Sequence, residues 1–166
     1  LGTPTYVALA NLTLSSSAAS VTFSSISQAY RDLVLVMTPK GSGFAAGPWL
    51  SFNGSTLTYS WVYAEGSGSA TASGTDSGSS GIRINPENYI SAANDNQVFT
   101  VQIMDYSATD KHKTVLGRYG TANAGVGMSA GRWSSTAAIT SLKLDSSPTG
   151  STMAAGSTFA LYGIVA

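Results

Sequence analysis

Trp49-Leu50-Ser51-Phe52-Asn53-Gly54-Ser55-Thr56-Leu57-Thr58-Tyr59-Ser60-Trp61-Val62-Tyr63 sets apolar and hydroxyl side chains in alternation on either side of an Asn-Gly pair. A two-residue period marks a half-buried strand. Asn-Gly is the favoured dipeptide of a type I′ turn, whose two central residues both need positive φ. Pattern and turn chemistry together predict a hairpin with Phe52 opposite Ser55 and Leu50 opposite Leu57. Leu50, Phe52, Leu57, Tyr59, Trp61 and Tyr63 then share a core face, and Ser51, Thr56, Thr58 and Ser60 the other.

The same period recurs outward in both directions. Tyr6 to Leu14, Asp32 to Met37, Gln97 to Met104, Lys113 to Tyr119, Ala137 to Leu144 and Thr158 to Ile164 are short, rich in β-branched and aromatic residues, and bounded by Gly, Ser, Asn or Pro. No long window carries a helical stripe, and helix is expected only as a single turn around Ser27 to Arg31 or Pro86 to Ala93. The reading is all-β, with about eight to ten strands in a two-sheet antiparallel sandwich. Size places a jelly-roll order ahead of an immunoglobulin-like one. Residues 1–166 form one domain. Gly66 to Gly81 (GSGSATASGTDSGSSG) is low in complexity and apolar content, so it is expected as a flexible excursion or a segment ordered by a partner.

Two segments depart from simple alternation. Leu33 to Met37 and Phe159 to Ile164 are apolar on both faces, so something must cover the second face. Either the chain covers it itself or a neighbouring subunit does, and Val34, Val36, Tyr162 and Ile164 are the candidate interface residues.

Composition removes whole classes of function. Charged residues are 10% of the chain, against about 25% in ordinary domains. Serine, threonine and glycine fill the deficit at 63 of 166 residues, so the polar surface is hydroxyl and backbone. Eight basic and eight acidic residues cancel without a run of one sign, which argues against nucleic acid and anionic lipid as partners. No apolar stretch is long enough for a membrane helix. With no cysteine there is no disulfide, thiolate metal site or cysteine nucleophile.

Catalytic parts are scarce. His112 is the single histidine, in Asp110-Lys111-His112-Lys113, where the flanking lysines mark a solvated loop end. Any of 27 serines could stand near it, so their abundance carries no signal, and no G-x-S-x-G elbow is present. The carboxylates are scattered, with Asp32, Glu65, Glu87 and Asp145 at strand ends or turns, unlike a glycosidase pair. Asn94-Asp95-Asn96 lacks the spacing of a calcium loop. No catalytic, cofactor or metal residue is assigned, and a small β-sandwich hydrolase is the reading kept from the enzyme class. Trp49, Trp133 and Tyr119, with Tyr106, fall at strand ends or near glycine. A ring there either packs in the core or stacks on a sugar at the surface.

Val21-Thr22-Phe23-Ser24-Ser25-Ile26, Tyr30 to Val36, Phe52-Asn53-Gly54, Ile103-Met104-Asp105-Tyr106 with Lys113-Thr114-Val115, Ala138 to Leu142 and Ala155 to Ile164 together resemble small structural proteins of tailed bacteriophages. The resemblance spans nearly the whole chain. It implies a jelly-roll-like sandwich on the virion surface, as a capsid decoration (cement) protein or head-fibre subunit, commonly a trimer. The major capsid protein or other virion proteins are then its partners. The alternative it leaves open is a tail-fibre module that binds a host receptor or surface glycan. It brings no catalytic residues.

Overall fold

A computed structural model of the chain describes residues 4–41, 48–56, 58–85, 97–121, 125–146 and 151–165. These form β1 (Tyr6–Thr13), β2 (Ser20–Phe23), β3 (Asp32–Thr38), β4 (Trp49–Phe52), β5 (Tyr59–Gly66), β6 (Thr71–Ser79), β7 (Ile82–Arg83), β8 (Gln97–Met104), β9 (Lys113–Thr121), β10 (Gly125–Trp133), β11 (Leu142–Asp145) and β12 (Thr158–Ile164). No helix occurs among the described residues. The expected turn at Ser27 to Arg31 is irregular, and the one at Pro86 to Ala93 lies outside the described residues, as do Glu87 and the Asn94 to Asn96 loop.

The strands make two antiparallel sheets, β1-β12-β3-β8-β9-β10-β5-β6 and β2-β11-β4-β7. Without β5, β6, β9 and β10, the orders become β1-β12-β3-β8 over β2-β11-β4-β7. That is the strand order of an eight-stranded jelly roll. The four remaining strands extend one of its sheets sideways as a wing, β9-β10-β5-β6.

Alternation puts one row of each strand between the sheets. Leu33, Leu35 and Met37 of β3 and Phe99, Val101 and Ile103 of β8 have no exposed surface. They face Leu50, Phe52, Leu142 and Leu144 of the smaller sheet, which are equally sealed. The wing joins this core through Tyr59, Trp61, Val115, Tyr119 and Trp133. Close approach of the sheets requires Gly131 on β10, because a Cβ there would stand 2.5 Å from Ile82 Cγ2 on β7.

The Asn53-Gly54 turn forms with φ of 51° and 67°, closed by the Ser55 N–H donating to the Phe52 carbonyl at 2.8 Å. The predicted hairpin does not. β4 pairs with β11 and β7, whereas β5 pairs with β10 and β6, so the turn carries the chain from one sheet to the other. Two side chains replace the missing ladder. The Tyr59 hydroxyl accepts the Phe52 N–H at 2.7 Å and lies 3.3 Å from the Phe52 carbonyl. Asn53 Oδ1 accepts the N–H groups of Thr140 and Ser141 at 2.9 and 3.0 Å, while its Nδ2 donates to the Ala138 carbonyl at 2.8 Å. The core face is nevertheless as expected for Leu50, Phe52, Tyr59 and Trp61, all buried, and Tyr63, partly buried. Leu57 lies outside the described residues.

The Gly66 to Gly81 segment also differs from expectation. Most of it is β6, paired along its length with β5 and forming the outer edge of the wing. Its hydroxyls and glycines need no core, because the ladder to β5 supplies the ordering contacts that composition lacks.

Buried ionisable groups serve this framework. Asp32 opens β3, accepting the Asp105 N–H at 3.0 Å on Oδ1 and bonds from Arg31 and Gln102 on Oδ2. Lys113, expected at a solvated loop end, has no exposed surface, and its Nζ donates to the carbonyls of Lys111 at 2.9 Å and Thr136 at 3.3 Å. Burial lowers the Lys113 pKa from its ordinary 10.5, against the attraction of Asp110, and raises Tyr59 and Tyr106 above 10.0. Just below 10.5 the unfolded chain holds a proton on Lys113 that the native state has released, so this group makes stability rise with pH. Above 10.0 the unfolded tyrosines lose protons that the folded ones keep, so stability falls. A melting profile at alkaline pH is therefore expected to rise and then fall. Lys113→Met should remove the rising limb alone; an unchanged limb would contradict the assignment.

Candidate interaction surface of the wing

Residues of opposite parity to the core row form the outer face of the large sheet. Across the register, Tyr162, Val34, Gln102, Leu116, Ala130 and Val62 make one line, and Ala160, Val36, Thr100, Arg118, Met128 and Ala64 the next. No second layer of described strands covers this face. Val62, Val98, Leu116, Val126 and Met128 are 47–65% exposed on it, with Tyr6 of β1 at the far side. Two hollows of about 370 and 710 Å³ flank Arg118, sharing Met128 as a wall. Arg118, in the second line, and Arg132, one outward position beyond the first on β10, are the exposed charges of this face among the described residues. The surface is thus apolar, shallow and nearly uncharged, and it suits packing against another surface.

The structure places Val34, Val36, Tyr162 and Ile164 on this outer face. Val34 and Ile164 are 8% and 7% exposed, already covered by their own chain, while Val36 and Tyr162 are half-buried. The open apolar surface lies further along, on β8, β9, β10 and β5. Val126 and Met128 escape the sequence reading because Gly125-Val126-Gly127-Met128-Ser129-Ala130-Gly131 has too many glycines to read as a strand, whereas Leu116 lies in a strand the sequence does predict and is not singled out there. The available signal is the alternation of Val126, Met128 and Ala130 with Gly127, Ser129 and Gly131, and, once β9 is phased on Val115 and Tyr119, the outward Leu116.

The aromatic candidates divide. Trp133 is buried against Phe52 and Tyr59, at ring separations of 5.6 and 6.4 Å. Tyr119 is buried against Phe99 at 5.7 Å, with its hydroxyl donating to Glu65 Oε2 at 2.5 Å. Neither ring is available at the surface, because the wing's inner row must fill the space beneath the smaller sheet. Tyr106 is likewise sealed, its hydroxyl donating to the Ser27 carbonyl. Trp49 is half-buried, and its ring lies 5.5 Å from the Arg83 guanidinium carbon. His112 is exposed in the loop before β9. No group of three or more histidine, aspartate or glutamate side chains suited to a metal ion occurs among the described residues.

No family model matches the chain, and no curated protein matches it. Among solved structures, a protein of unknown function from Shewanella oneidensis MR-1 aligns over 99% of this chain and 77% of its own, at 13% identity and a TM-score of 0.24. A tail fibre protein from a phage of E. coli aligns over 97% of this chain and 21% of its own, at 11% identity and a TM-score of 0.29. Both likenesses are too shallow to define a shared fold or role.

Proposed function

We propose that this chain is a non-enzymatic structural subunit of a bacteriophage virion, a capsid decoration or head-fibre component, that assembles with further copies of itself through the outer face of its wing. The exposed apolar row Val62, Leu116, Val126 and Met128 carries the reading. A formal net charge of zero lets copies meet without long-range repulsion. The buried ionisable groups Asp32 and Lys113 are committed to backbone and strand-end contacts, as befits a protein whose task is to persist rather than to turn over substrate. The phage assignment itself rests on the sequence resemblance.

Light scattering at micromolar concentration is expected to find an oligomer, with a trimer favoured by the resemblance. Leu116→Glu with Met128→Glu should yield a folded monomer whose melting temperature no longer depends on protein concentration. A monomeric wild type would overturn the assembly reading. Purified particles should carry the protein in hundreds of copies if it decorates the shell, and in a handful if it belongs to a fibre.

A further inference from the structure

We propose that Trp49, Arg83, Trp61 and Tyr63 form a binding site for a carboxylate-bearing saccharide, at the seam where the edge strand of the smaller sheet meets the inner face of the wing. The site is independent of the assembly surface, since Trp61 and Tyr63 lie on the opposite face of β5 from Val62.

Arg83 ends the smaller sheet. Its guanidinium carbon lies 5.5 Å from the Trp49 ring and 5.8 Å from the Trp61 ring, so aromatic surface from both sheets holds the group. Trp61 continues into Tyr63 at 6.2 Å. Arg83 makes no hydrogen bond or ion pair with a described residue, unlike Arg31, Lys111 and Lys143, each of which has an aspartate. The carboxylate opposite Trp61 on β6, Asp76, turns onto its own strand, its Oδ1 accepting the Ser77 N–H at 2.8 Å.

The cluster is one-sided in its hydrogen-bonding capacity. Arg83 Nε, Trp49 Nε1 and Trp61 Nε1 are all buried N–H donors without an acceptor among the described residues. Buried donors are normally paired, and a group of exceptions calls for an explanation. Three donors and a fixed positive charge favour an anion that only accepts. A guanidinium held by its faces presents its edge, and a planar carboxylate matches that edge with two parallel bonds. Trp49 and Tyr63, both only half-buried, bring aromatic side chains to the border of the cluster. A pyranose supplies the complementary C–H face, so a sugar acid satisfies ring and edge together.

The test is an array of acidic and neutral glycans, followed by calorimetry with the strongest acidic hit, its methyl ester and hexaglutamate. Hits should be confined to carboxylate-bearing sugars, and esterification should weaken binding about tenfold or more, as loss of a charge-assisted pair requires. Arg83→Met, which keeps the stem between the rings, should abolish binding, and Arg83→Lys should weaken it. Lys111→Met, an exposed cation of the loop before β9 that belongs to neither surface, should leave it unchanged. Should Arg83→Met melt early, the ester comparison on the wild type decides. An array without acidic hits, equal binding of acid and ester, or equal binding of hexaglutamate would overturn the proposal.

Discussion

Trp133→Ala is expected to destabilise the fold by about 3–5 kcal/mol, the usual cost of removing a large aromatic side chain from a packed core. Trp133 is 3% exposed, stacks nearly parallel to Tyr59 at 17°, and donates Nε1 to Thr58 Oγ1 at 3.2 Å. It therefore ties the last residue of β10 to the chain leaving the Asn53-Gly54 turn and to the smaller sheet through Phe52. At roughly 2–4 °C per kcal/mol for a chain of this size, the melting temperature should fall by about 6–20 °C. Denaturant unfolding checks this directly. A variant that melts like the wild type would return Trp133 to the surface, where the sequence also allowed it.

Gly131→Val is the second large effect, with an expected loss of about 1–3 kcal/mol or more from overpacking. A Cβ at this position would meet Ile82 at Cγ2, Cδ1 and Cγ1, at 2.5, 2.7 and 2.8 Å, so no single rotation of Ile82 clears it. Either β7 lifts from the wing or β10 bends. Gly120→Ala on the neighbouring strand is the control, because its Cβ would meet nothing within 4 Å, and it should be neutral. Combining Gly131→Val with Ile82→Ala should cost less than the two separate losses added together, since the second change vacates the space the first invades. Strict additivity would show that the sheets do not touch there.

Several strands were legible in the sequence: Trp49–Phe52 and Gln97–Met104 through their alternation, and Thr158–Ile164 through its short apolar run preceded by Gly and Ser, have their expected limits. What stayed hidden depends on contacts distant in sequence. Periodicity assigned Tyr59 and Phe52 to one face but could not say that the tyrosine hydroxyl, rather than a neighbouring strand, would satisfy the Phe52 N–H. β6 and β10 were hidden by glycine and serine, whose low strand preference is overridden by a ladder on β5. In Ala137 to Leu144 only the end is strand, because Asn53 holds the backbone at Ala138, Thr140 and Ser141. The Trp49–Arg83 pairing was out of reach, since β4 and β7 are brought together only by the sheet.

The position of β12 between β1 and β3 bears on how the protein is made. Leu33 to Met37 emerge from the ribosome more than a hundred residues before the segment that flanks them, so the nascent chain carries an open, greasy edge until that segment follows. Strand pairing of such long range is slow and vulnerable to premature association. A chain truncated before Thr158 leaves the facing edges of β1 and β3 unpaired, and turbidity on its expression should report self-association that the intact chain avoids.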